Sequence, residues 1–169
     1  MEVLNYEIDL TAILPFELHT FDSERCFLWV LYADKIPPHV GISSNNCYFS
    51  LKYNGKDEYL HVDNVLKLLE QKKIKTLLFE LTETISAGSI AEHFSAYSKT
   101  KTGHITCLHP VKETLHCNNV QTLKELLSAL NNAQRIGSVK GINIDDTFQG
   151  IIDYSLQDIH DRLRHLEDA

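Results

Sequence analysis

The uninterrupted run Phe27 to Tyr32, FLWVLY, constrains this chain more than any other stretch. A strand with no polar alternation must be covered on both faces, so the remainder of the chain has to supply a layer on each side of a sheet. Pro37 and Pro38 stop the run. Beyond them Val40 and Ile42 alternate with His39, Gly41 and Ser43, which places the histidine and the glycine on one face and the branched residues on the other. Ser44 and Asn45 are turn formers, and the alternation resumes with Tyr48, Ser50 and Lys52. A turn through Ser44 and Asn45 pairs residues 43 and 46 and sets residue 39 opposite residue 50.

The flanking segments predict a succession of strands and capped helices. Residues 3 to 8 and 16 to 20 alternate loosely, as two strands separated by Pro15 would. Asn54 and Gly55 mark a turn into a further strand near Glu58 to Val62, and Asp63 is placed to cap the helix after it, with Val65, Leu66, Leu69 and Leu68 as candidates for its buried stripe. Lys72, Lys73 and Lys75 read as the solvated end of that helix, and Lys75 to Leu81 as another strand. Ser89 with Glu92, Thr122 with Glu125 and Ser155 with Asp158 suit capping boxes. The first opens a helix to about Ser98, the second a helix buried through Leu123, Leu126, Leu127 and Leu130, and the third a last amphipathic helix with Ile159, Leu163 and Leu166. Pro110, which needs no amide partner in a first helical turn, predicts a helix beginning just beyond Cys107. Residues 137 to 143 read as a connection or short strand. The expectation is a single α+β domain over residues 1–169, a mainly antiparallel sheet with helices packed on it.

With 16 basic against 23 acidic side chains the net charge is -7, and no basic stretch is interleaved with aromatics, which argues against nucleic acid or an anionic membrane as the main partner. No stretch approaches the ~20 apolar residues of a membrane span. The acidic start MEVLNYEIDL lacks the pattern of a signal peptide, and Cys26, Cys47, Cys107 and Cys117 show no disulfide or CxxC spacing, so the expected compartment is the cytoplasm.

The strand, the loop and the tetrapeptide His39, Val40, Gly41, Ile42 resemble the histidine region of the NlpC-like and lecithin retinol acyltransferase-like proteins of the papain-like cysteine hydrolase group. The resembling part runs from Phe27 to Tyr53. In the usual order of that group a cysteine at a helix start precedes the strand, and Cys26 has no helix before it. In the circularly permuted order the cysteine follows the histidine, and Cys107 occupies that place. Thr106 and Cys107 replace the Asn-Cys frequent in the acyltransferase-like members, and the LHP that follows matches no motif of the group. The resemblance implies a permuted papain-like fold and a thiol hydrolase or acyltransferase acting on an amide, ester or acyl bond of a peptide or acyl substrate. Cys107 would be the nucleophile, favoured as thiolate by a helix start and a nearby imidazole, and His39 the base. From the expected hairpin register, Ser50 would orient His39.

Two other readings use the same residues. His104, Cys107, His109, His116 and Cys117 are suitable zinc ligands by type, but their spacing matches no common zinc frame, and neither a metal nor a cofactor is expected. A noncatalytic protein-interaction module on such a fold is the alternative to an enzyme. The C-terminal helix has an apolar stripe that packs either internally or against a second copy, which leaves a homo-oligomer open.

Overall fold

A computed structural model describes residues 7–169. Seven strands, β1 (Ile13–Pro15), β2 (Phe27–Leu31), β3 (His39–Ser44), β4 (Cys47–Lys52), β5 (Gly55–His61), β6 (Thr76–Leu81) and β7 (Ile136–Ile142), form one sheet in the order β1-β7-β6-β2-β3-β4-β5. Every pairing is antiparallel except β1 with β7. Five α-helices pack on it: α1 (Val62–Gln71), α2 (Ala87–Phe94), α3 (Leu108–Thr114), α4 (Leu123–Asn132) and α5 (Leu156–Glu167). The chain is therefore α+β, as its alternating patterns predict.

β2 lies in the interior of the sheet, paired with β3 on one edge and β6 on the other, and all five of its residues are buried. Leu28 and Val30 join Val40, Ile42, Phe49, Leu51, Leu77 and Phe79 in a core closed by apolar residues of α2, α3 and α4. Phe27, Trp29 and Leu31 point the other way, against Tyr48, Leu78 and the Val62, Val65, Leu66, Leu69 stripe of α1. The indole of the fully buried Trp29 donates to Ser43 Oγ at 2.7 Å, so the one polar atom of that ring is satisfied.

Several local expectations shift by one to four residues. The β3–β4 turn uses Asn45 and Asn46 (φ 50° and 63°), not Ser44 and Asn45, because a two-residue turn of this type needs left-handed backbone at both positions and asparagine tolerates it best after glycine. Helix α1 begins at Val62, capped by His61, whose Nδ1 accepts from the Asp63 amide; Asp63 lies in the first turn and does not cap. Helix α2 is capped by Ser86, with Asn45 Oδ1 accepting from the Ala87 amide, and it stops at Phe94. Ser89 and Glu92 form no capping box there. Of the two expected N-terminal strands, positions 3 to 6 fall outside the described residues, and 16–20 turn through a short 3-10 helix, Leu18–Thr20, as Phe16 and Phe21 stack toward Phe27. Thr122 does cap α4, and Ser155 and Asp158 cap α5 reciprocally. Residues 136–142 form a full strand, β7.

Gly41 is required by packing. A Cβ at that position would lie 2.5 Å from Tyr48 Oη and 2.6 Å from two ring carbons, since the tyrosine ring crosses from β4 over the glycine. Gly41→Ala must displace a buried aromatic ring, and overpacking of that kind costs about 1–3 kcal/mol. Urea unfolding should show a lower midpoint with an unchanged slope, and an unaltered midpoint would contradict the contact.

Candidate functional site

The first residue of β3 and the residue capping α3 line one cleft. β3 enters the sheet beside β2, with His39 paired to Leu31 and Val40 to Val30, so the buried strand fixes where the histidine emerges. Cys107 is the N-cap residue of α3, where the Pro110 pattern places it, and α3 packs against β3 and β4. Both side chains line a cleft of about 640 Å³ whose walls come from the Tyr32–Pro38 loop, the end of β4, Thr100 and one face of α5. The chain folds so that two distant positions, predicted as a pair, share one solvent-accessible hollow.

The third predicted member is placed differently. Because the hairpin turns at Asn45 and Asn46, Ser50 pairs with Gly41 and is not opposite His39. Its hydroxyl donates to Asp57 Oδ2 at 3.0 Å. Lys52 Nζ donates to the other oxygen of the same carboxylate at 2.9 Å. Asp57 reaches this position through a β-bulge in the β4–β5 pairing between Tyr48 and Ser50, which sets Ser50 opposite Asp57. The register expectation for Ser50 is thus corrected: it holds a carboxylate whose charge acts on His39, and it does not face the ring itself.

Burial governs the protonation of the pair. Desolvation lowers the His39 pKa to about 4, with the Asp57 charge opposing it and Lys52 reinforcing it. Desolvation likewise raises the Cys107 thiol above its ordinary value, offset in part by the backbone amides of Val40 and of Cys107 itself. No hydrogen bond joins the His39 ring to another described residue. At neutral pH the resting site therefore holds a neutral imidazole and a protonated thiol. The expected thiolate is not the resting form, because the cost of burying an anion outweighs the pull of a two-turn helix and two amides.

The other cysteines are differently placed. Cys26 is buried at the start of β2, with its thiol pushed up to about 12 by desolvation. Cys47 lies in β4 and packs against the core. Cys117 Sγ accepts from Arg135 at 3.5 Å. The zinc-type set does not gather: His109 Nδ1 accepts from the Thr106 amide, His116 lies against His93, and among the described residues no three His, Cys, Asp or Glu side chains converge as a metal site. Nor is any helix among them long and apolar enough to cross a membrane.

Four residues of the site carry no sequence signal strong enough to single them out. Tyr48 and Asp57 flank the histidine face, and Thr100 and Arg162 line the cleft. Alternation along β4 puts Tyr48 on the face of His39, but the reach of its ring over Gly41 and the bulge that delivers Asp57 depend on three-dimensional packing. Comparison with the known protein families, with characterised proteins and with solved structures finds no match to this chain.

The lowered pKa of His39 has a consequence for stability. Above pH 6.5 the ring is neutral whether the chain is folded or not; as pH falls from 6.5 toward 4, the unfolded chain binds a proton that the folded one refuses. Stability is lost over that window, by up to about 3 kcal/mol from this residue. His39→Asn should flatten the pH dependence of the unfolding free energy between pH 6.5 and 4 relative to the wild-type chain. Parallel curves for the two proteins would show that the ring is not desolvated.

Proposed function

We propose that the chain is a cysteine-dependent hydrolase or acyltransferase acting on an amide, ester or other acyl bond, with Cys107 as nucleophile and His39 as general base and acid. One observation carries the reading: a thiol at a helix start and an imidazole at a strand start, widely separated in sequence, line the same cleft. The permuted papain-like resemblance, with histidine before cysteine, points to the same pair.

The neutral resting pair suits a mechanism in which the proton moves at the moment of attack. Cys107 Sγ forms a bond to the carbonyl carbon while its proton passes to His39, giving a tetrahedral adduct. The protonated ring then gives that proton to the leaving nitrogen or oxygen, the bond to the leaving group breaks, and a thioester remains on Cys107. Water, or an acceptor nucleophile in the transferase version, attacks the thioester as His39 takes its proton. The sulfur departs and recovers that proton from the ring. Asp57, fixed by Ser50 and Lys52, supplies a negative charge that offsets part of the cost of the transient imidazolium.

The absence of a thiol–imidazole hydrogen bond among the described residues, with the raised thiol pKa, favours the second reading, a binding module that uses the cleft without chemistry. Incubation with p-nitrophenyl acetate and peptide mapping by mass spectrometry separates the two. The enzyme reading predicts an acetyl thioester on Cys107 ahead of Cys26, Cys47 and Cys117, formed about 10²–10⁴ times more slowly in His39→Ala. In the wild-type chain the acylation rate should hold level from neutral pH to about pH 5 and inflect near the His39 value of about 4. Equal, sluggish modification of all four cysteines, or indifference to His39→Ala, would leave the binding module.

A further inference from the structure

The charge of the cleft runs against that of the protein. In a chain of net charge -7, the lining holds Lys35, Lys52 and Arg162 and no acidic residue. Lys52 is engaged by Asp57 at 2.9 Å, and Lys35 lies 3.9 Å from Asp34. Arg162, on the α5 face that forms one wall, makes no ion pair or hydrogen bond with another described residue. The neighbouring Arg164, outside the cleft, does pair, with Asp161 at 3.8 Å.

A second polar group lines the same cleft. Thr100 is only 2% exposed, its backbone amide donates to Lys52 O at 2.9 Å, and its hydroxyl has no hydrogen-bond partner among the described residues. A buried hydroxyl without a partner is costly to keep in a folded protein, so such groups are retained mainly where something else completes them. The rest of the wall is apolar: Ile159 and Leu163 are buried on α5, and Tyr32, Ile36 and Tyr53 are large, exposed and gathered around the cleft. Apolar walls with a few polar groups and one unneutralised guanidinium form the pattern of a site for an amphipathic anion.

We propose that the cleft binds a substrate that joins an apolar acyl group to a part bearing a carboxylate or similar anion, with Arg162 pairing the anion, Thr100 Oγ1 hydrogen-bonding to the polar part, and the aromatic and aliphatic wall taking the acyl chain. This names the substrate class for the site described above and rests on that reading for the bond that is cleaved, although binding itself does not require the thiol. Acyl-amino acids are the simplest compounds of this class.

Calorimetric titration of Cys107→Ser with N-decanoylglycine and with its neutral counterpart, N-decanoylglycinamide, tests the inference without turnover. The anionic compound should bind about tenfold more tightly, the margin that one charge-assisted contact supplies. In Cys107→Ser/Arg162→Gln that preference should fall to about one, with the melting temperature unchanged because Arg162 is exposed and unpaired. Thr100→Val should weaken both compounds severalfold. Equal affinities for the two compounds, no binding of either, or a preference that survives Arg162→Gln overturns the inference. Acylation of Cys107 without the anion preference would remove the substrate class and keep the enzyme. The preference without acylation would remove the enzyme and keep the ligand.

Discussion

The burial of β2 on both faces and both edges determines everything near the cleft. A five-residue strand with no exposed side chain has one acceptable register on each side, because a slip of one residue would exchange Trp29 and Leu31 with Leu28 and Val30 between two differently shaped cores. Once β2 is fixed, the pairing of Val30 with Val40 fixes β3, and His39 must emerge where β3 begins. The same lock positions β6 on the far edge and, through it, β7. The position of His39 is set by this chain of registers rather than by any hydrogen bond of its ring.

The site also shows how burial trades against charge. A thiol and an imidazole placed in water-exposed positions would settle as a partial ion pair; here desolvation lowers the basicity of one and the acidity of the other, and both stay neutral. Asp57 opposes this trend only in part, since its carboxylate is already shared between Ser50 and Lys52. In the proposed reaction charge develops only as a substrate is attacked, and Arg162, which has no partner among the described residues and lines the same cleft, suits a ligand that brings its own negative charge.

Much of the fold was legible because its signals are local or periodic. The FLWVLY run announced a strand covered on both faces, the Leu123 to Leu130 stripe announced α4, and the Ser155–Asp158 pair announced the start of α5. Cys107 at the start of α3 followed from the proline three residues later. At the β3–β4 turn, where Ser44–Asn45 and Asn45–Asn46 could each serve, a tertiary contact decided between them. Asn45 both takes left-handed backbone and caps α2 through Ala87, which moved the turn off Ser44 and, with it, Ser50 away from His39. A bulge, invisible to simple alternation, delivered Asp57. That Arg162 and Thr100 border the same cleft as His39 could not be read from the chain at all, since it depends on how α5 docks.

Cys107 and His39 line a single cleft, and the proposed chemistry requires them to face one another across it. Treatment with 1,3-dibromoacetone tests that requirement directly, because a three-carbon bridge closes only between a sulfur and a ring nitrogen that approach each other closely. The expected main bridged product is a cross-linked peptide pair containing Cys107 and His39, formed in native protein and lost on unfolding. Modification of Cys107 with the second arm left free, or bridging to another histidine, would place the two groups apart and contradict it.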